Sequence, residues 1–199
     1  MKKCLHCLSL FLILHVIVYA QTSATPNKFV GHSETIIGIT QSPDGKYILS
    51  GSDDDKAILW DNSGNIILKI TDHKRSVNDL VFSPDSKRFI TAGSDETFII
   101  WDIEGTKIKT VKADAIYVKS VTYSNDGKYI LSGGGDNSAK LWTSEGEFIR
   151  EFKGHSCTIY QASFSPDNSS IVLGSCDKTV SIWDINGNKK KTINIIPAV

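Results

Sequence analysis

The sequence predicts an all-β fold of four tandem units, each a four-stranded sheet, with no helix after an apolar N-terminal segment. Three observations carry this reading. Trp60, Trp101, Trp142 and Trp183 recur at steps of 41 residues, a period that marks stacked supersecondary units burying their faces on one another. Within each step lie four short runs of β-forming residues, set off by turn residues. Residues 29–193 show no helical period.

The first unit sets the pattern. Ile36 to Gln41 reads as a strand with its bulky residues on one side. Ser42-Pro43-Asp44-Gly45 follows, with Pro at the second position of a type I turn. Tyr47 to Ser50 is the second strand, a tight turn at Asp54 comes next, and Ala57 to Trp60 is the third. Gly64 supplies a residue that tolerates positive φ, and Asn65 to Ile70 closes the unit. The later units repeat the signals: Asp95, Asp136 and Asp177 stand six residues before their Trp, and Gly105, Gly146 and Gly187 four after. Ser83-Pro84-Asp85-Ser86, Ser124-Asn125-Asp126-Gly127 and Ser165-Pro166-Asp167-Asn168 repeat the first turn.

Lys2 and Lys3 precede an apolar run, Cys4 to Val18, and Val18-Tyr19-Ala20 offers small or modest residues before a cleavage at Gln21. This is the pattern of an export signal over residues 1–20, so a secreted or periplasmic location is expected. An uncleaved anchor is the alternative, since the run falls just short of a bilayer span. Residues 21–28 read as a linker, 29–193 as the four repeats (about 31–70, 72–111, 113–152 and 154–193), and 194–199 as a tail. Lys and Arg number 22, as do Asp and Glu; cleavage removes two Lys and no acid, leaving a charge of −2. Such a balance points to no nucleic acid and to no anionic membrane surface. Cys4 and Cys7 belong to the apolar leader and not to a metal or redox site.

Gly31-His32 and Gly154-His155 open repeats one and four, and Trp60-Asp61, Trp101-Asp102 and Trp183-Asp184 lie near repeat ends. With the 41-residue step, these residues resemble the WD-repeat β-propeller family over nearly all of residues 29–193. The resemblance implies four propeller blades, forming a partial ring or one completed by oligomerisation. It also implies a hydrogen-bonded set of His, hydroxyl, Asp and Trp that braces each blade. Carried over by position, the set is His32, Ser50, Asp54 and Trp60 in repeat one, and His73, Thr91, Asp95 and Trp101 in repeat two. Repeat three keeps Ser132, Asp136 and Trp142 but has Asp114 for the His. Repeat four keeps His155, Asp177 and Trp183 but has Leu173 for the hydroxyl. Blades three and four are therefore expected to be the less well braced. The resemblance also places Cys157, two residues after His155, near Cys176, one before Asp177. In an oxidising compartment the pair is a disulfide candidate, with free thiols the alternative.

No catalytic residue is expected, because all three histidines after the leader fall in one structural slot. No metal or other cofactor is expected either: Asp53-Asp54-Asp55 lacks the alternating spacing of a calcium loop. Gly133-Gly134-Gly135 serves backbone geometry on the approach to Asp136. Lys189-Lys190-Lys191 charges the outermost strand against edge pairing. Asn168-Ser169-Ser170 is a glycosylation acceptor if the source glycosylates exported proteins.

In such a family the residues just after the His and just before the Asp face a partner. Here these are Glu34 and Asp53, Arg75 and Ser94, Ile116, Tyr117 and Gly135, and the Cys157–Cys176 pair. They differ in every repeat while the bracing positions mostly recur. The expected function is an exported, non-catalytic scaffold for an unidentified protein partner, with no membrane contact after cleavage. Alternatives are a propeller enzyme or small-ligand binder using the central channel, and a structural or adhesion module. Four blades cover part of a ring, so self-association into a two-fold, eight-bladed ring is expected, with a partner or a missing segment that supplies the rest, or closure by tight curvature, as the alternatives.

Overall fold

A computed structural model describes residues 29–195, and every regular element in them is a strand. Residues 1–28, with the expected leader and linker, and residues 196–199 of the expected tail lie outside the described part. The first sheet is β1 (Ile36–Gln41), β2 (Tyr47–Ser52), β3 (Ala57–Asp61) and β4 (Ile66–Ile70). The second is β5 (Val77–Phe82), β6 (Arg88–Gly93), β7 (Thr97–Asp102) and β8 (Lys107–Lys112). The third is β9 (Val118–Tyr123), β10 (Tyr129–Gly134), β11 (Ser138–Thr143) and β12 (Phe148–Lys153). The fourth is β13 (Ile159–Phe164), β14 (Ser170–Ser175), β15 (Thr179–Asp184) and β16 (Lys189–Asn194). Each sheet is an antiparallel meander in sequence order.

The first turn of each blade shows why these residues fold this way. In blade one the Gly45 N–H donates to the Ser42 carbonyl at 2.8 Å. The Ser42 hydroxyl donates to Asp44 at 2.7 Å and accepts the Tyr47 N–H at 2.9 Å. The fourth turn position has a φ of 73° at Gly45, 59° at Ser86, 71° at Gly127 and 59° at Asn168. That left-handed region costs glycine nothing and a small polar residue little.

Alternation along the strands gives each blade two faces, and the core consists of the three seams between blades. In the first seam Leu49, Ala57, Leu59 and Ile70 meet Val77, Leu80, Phe82, Phe89, Ile99 and Trp101 of the next blade. In the second, Ile90, Phe98, Ile100 and Val111 meet Val118, Val121, Tyr123, Ile130 and Trp142. In the third, Leu131, Ala139, Leu141 and Phe152 meet Ile159, Ala162, Ile171, Leu173 and Trp183. Full burial of one such side chain, Phe98 or Phe152, stabilises by about 1.5–3 kcal/mol. The innermost strands pack in the order β1, β5, β9, β13, and β13 does not return to β1. Closure by tight curvature is thus not what four blades do: they form an open arc.

Candidate functional site

The loops that lead into each first strand and the turns between second and third strands share one end of the arc. In blade one, Asp54 in the turn after β2 accepts from His32 Nδ1 at 3.1 Å, and His32 Nε2 lies 2.8 Å from the Ser50 hydroxyl on β2. The Trp60 indole N–H on β3 donates to the same hydroxyl at 2.8 Å. One proton arrangement satisfies all of them: Nδ1–H donates to the carboxylate, and the hydroxyl donates to Nε2 while accepting from the indole. Burial would push the Asp54 carboxyl up, but the Ser33 N–H and the His32 ring outweigh it and hold it at about 2. Blade two repeats the set, with His73 Nδ1 at 3.0 Å from Asp95, His73 Nε2 at 2.8 Å from Thr91, and the Trp101 N–H at 3.1 Å from Thr91. The Asp95 carboxyl is likewise held well below its ordinary range, its burial outweighed by hydrogen bonds from His73, the Lys74 N–H and Thr97.

Blade four corrects the expectation of a missing hydroxyl. His155 Nδ1 lies 2.8 Å from Asp177, and His155 Nε2 lies 2.6 Å from the hydroxyl of Ser181 on β15. The Trp183 N–H donates to that same hydroxyl at 2.8 Å. Ser181 is the cross-strand partner of Leu173, so the hydroxyl has moved one strand over, to the same place between ring and indole. Blade three departs further. Trp142 still donates to Ser132 at 2.9 Å, but Asp136 takes its hydrogen bond from Lys140 Nζ. Lys140 is the cross-strand partner of Ser132. Asp114, where the other blades have His, accepts the N–H groups of Ile116 at 2.7 Å and Tyr117 at 3.1 Å. Burial pushes its carboxyl up despite those donors, and the negative Asp136 beside it pushes the same way. Asp136 is also penalised by burial, yet Lys140 and Ser138 hold it below its usual value. A lysine and a serine thus replace bracing groups that the carried-over pattern leaves out.

One backbone hydrogen bond recurs above these sets. The N–H groups of Asp53, Ser94, Gly135 and Cys176 donate to the carbonyls of Thr35, Ser76, Tyr117 and Thr158, at 2.9, 2.9, 3.0 and 3.1 Å. It clamps each leading loop to its turn. Glu34, Asp53, Arg75 and Ile116 stand exposed on this frame, with Ser94 and Tyr117 half-buried. Gly135 corrects the expectation that it faces a partner. It is buried, and a Cβ there would lie 2.9 Å from the Tyr117 ring and 3.0 Å from Ile116. It is the floor under those two side chains. Cys157 and Cys176 are joined by a disulfide, with 5.4 Å between their Cα atoms.

Three side chains that the sequence did not single out complete the surface. Asn78, Lys119 and Tyr160, on the innermost strands β5, β9 and β13, line a cavity of about 280 Å³ together with Ser94 and Tyr117. The Tyr117 hydroxyl bridges blades three and four by a 2.9 Å hydrogen bond to Thr158. Their only signal in the sequence is that one step of 41 residues connects Asn78, Lys119 and Tyr160 and changes the chemistry each time. A larger cavity, about 520 Å³, opens at the opposite end among turn residues that include Asp85, Arg88, Asn125 and Asp126. No group of three or more His, Cys, Asp or Glu able to hold a metal ion occurs among the described residues.

Comparison with curated proteins finds no match for the chain. Comparison with protein families finds one over residues 14–197, a stretch that begins inside the segment read as a leader. The family is described as IFT122 first beta-propeller, and its match spans all four of the sheets above. The chain belongs to that β-propeller family.

Proposed function

We propose that the chain is an exported, non-catalytic scaffold that recognises a protein partner through the histidine end of its blades. The observation that carries this is the recurring clamp: one backbone hydrogen bond holds the loops alike in all four blades, while the side chains displayed differ from blade to blade. A rigid frame that presents variable side chains is how loop surfaces achieve recognition. Glu34, Asp53, Arg75, Ser94, Ile116 and Tyr117 form the rim, and Asn78, Lys119 and Tyr160 the centre. Exposed Ile116 and half-buried Tyr117 supply an apolar anchor of the kind that dominates interface energetics. Export is supported by the Lys2-Lys3 start and the apolar run after it, and it agrees with a disulfide in blade four. No cofactor, nucleic acid or membrane has a part in this reading.

A photo-crosslinking residue at position 116 or 34, with position 125 at the opposite end as control, tests it in the source compartment. Adducts from 116 and 34 and none from 125 are expected; adducts from 125 alone overturn it. N-terminal sequencing of the same material should begin at Gln21. A small-ligand site in the channel is the second reading, favoured by the cavity at Asn78, Lys119 and Tyr160. Its volume of about 280 Å³ lies at the lower edge of the roughly 300–1,000 Å³ of small-molecule sites.

A further inference from the structure

The two ends of the arc are unlike every internal seam. Val172 on β14 is 37% exposed, whereas Leu49, Ile90 and Leu131, at 41-residue steps before it, are 0% exposed. Ile193 on β16 is 41% exposed, while Ile70, Val111 and Phe152 at its position are 1–6%. These residues, with half-buried Val180 and Ile182, lie on the face that in the other blades packs on the blade that follows. At the other end Ile39 is 71% and Ile36 49% exposed, whereas Leu80, Val121 and Ala162 at the position of Ile39 are 1–5%. Among the described residues Phe29 covers part of the blade-one face, against Trp60, and leaves Ile36 and Ile39 exposed, while the blade-four face keeps Val172 and Ile193 exposed.

The polar contacts that cross the internal seams identify what fits. The Asp79 carboxylate of blade two accepts the Val121 N–H of blade three at 2.9 Å, and the Ser120 hydroxyl of blade three accepts the Ala162 N–H of blade four at 3.2 Å. One step on, blade four has exposed Gln161, whose side-chain carbonyl is an acceptor; one step back from Leu80, blade one has Ile39. On the outer strands Lys109 donates to the Gly146 carbonyl at 3.1 Å, and Arg150 to the Asn186 carbonyl. The next residue of that series is Lys191, exposed, and the matching carbonyls are those of Ser63 and Gly64 in blade one. The open face of blade four therefore carries the apolar row of all three seams, with the inner acceptor and outer cation of the second and third, where the first seam has Gly38 and Leu68, and blade one carries their counterparts.

We propose that the open face of blade four docks on the open face of blade one in a second copy of this chain, reproducing the internal seam. Two copies joined this way share two identical seams and close an eight-bladed ring, within the range of roughly 4–8 blades that propellers adopt. Phe29 marks the place of the incoming strand: it meets Trp60 edge-on at 5.4 Å, as Phe152 meets Trp183 at 5.7 Å. It is also one step of 41 before Ile70 in the series that ends at Ile193, so docking exchanges Phe29 for the second copy's Ile193.

The test is the light-scattering mass of the chain as its host produces it, across a dilution series, with the single variants Ile39→Asp and Val172→Asp. Both positions are exposed, and an unchanged circular dichroism spectrum with cooperative unfolding will show that the variants fold. Twice the chain mass is expected for the wild type and the single mass for each variant. A two-copy species should return on mixing the two variants, because one seam then pairs an unaltered Val172 with an unaltered Ile39. A wild type of single mass would overturn the proposal, since the faces are then bare or covered by the chain's own residues. A two-copy Val172→Asp protein would also overturn it, because blade four is then not in the contact. A ladder of larger species would overturn closure by two copies.

Discussion

Leu173 and Ser181 face each other across β14 and β15, and the hydroxyl that braces blade four comes from the second of them. In blade one the same cross-strand pair is Ser50 and Ile58, and in blade two Thr91 and Ile99. The pair is reversed in blade four, and ring and indole still meet an oxygen.

Ser181→Ala should therefore destabilise blade four by about 1–3 kcal/mol, the penalty for stranding buried partners of a lost hydroxyl. His155 Nε2 and the Trp183 N–H lose their common partner. The double variant Leu173→Ser, Ser181→Leu recreates the arrangement of blades one and two and should recover most of the loss. Urea unfolding midpoints measure both, and an unchanged midpoint for Ser181→Ala would show that the hydroxyl braces nothing.

Asp95 and Asp136 occupy one position in blades with different partners. Asp95→Ala leaves His73, Thr97 and the Lys74 N–H without their acceptor, and should cost about 2–4 kcal/mol. Asp136→Ala removes the acceptor of the Ser138 N–H and hydroxyl, but Lys140 keeps Ser138 and Glu151 as partners and the negative charge beside Asp114 is lost, so its cost should be smaller. Equal midpoints for the two variants would contradict this difference.

The units, their turns and most of the bracing residues were legible in the sequence, because each is a column at a fixed step of 41 residues. What was not legible depends on the space between columns. Ser181 and Lys140 act by sitting across from Leu173 and Ser132, a relation that appears only once strand register is known. Gly135 read as a surface position because the family resemblance puts the residue before the turn Asp on the partner side; the Tyr117 ring beside it decides otherwise. Glu96 and Lys178 adopt φ values of 71° and 69° in the turn after the second strand. Neither residue type announces a left-handed position, as Asn137 does.

The pH dependence of Asp114 should run opposite to that of Asp95. Burial, with the neighbouring Asp136 charge, raises the folded-state value of Asp114 above 3.8. Its contribution to stability is then fully present at pH below 3.8 and is lost as pH rises through the folded value. Asp95 is lowered, so its contribution is present above 3.8 and lost as pH falls through its folded value. Asp114→Asn keeps an acceptor for the Ile116 and Tyr117 N–H groups and removes the like charge. It should raise the unfolding midpoint at pH 7 and leave it unchanged at pH 3. An equal gain at both values would mean that the charge has no part in the effect.

The bond between Cys157 and Cys176 lies in the clamp of blade four. The Cys176 N–H donates to the Thr158 carbonyl at 3.1 Å, and the Ser175 hydroxyl to the Cys157 carbonyl at 2.9 Å. The backbone is thus held in place around the bridge, with Cα atoms 5.4 Å apart, in the usual range for disulfides. The bond spans a sequence separation of 19 residues, and closing a loop of that size is worth about 3 kcal/mol in the chain-entropy account. The bond lies wholly within blade four, tying the loop before β13 to the turn after β14. Reduction should therefore lower the stability of the chain by up to about 3 kcal/mol, with loss of protection in the amides of β13 to β16 before those of β5 to β8. Alkylation in denaturant without reductant, on protein taken from its native compartment, should add no label at these two cysteines. Labelling of both would show free thiols, and reduction would then leave exchange in β13 to β16 unchanged.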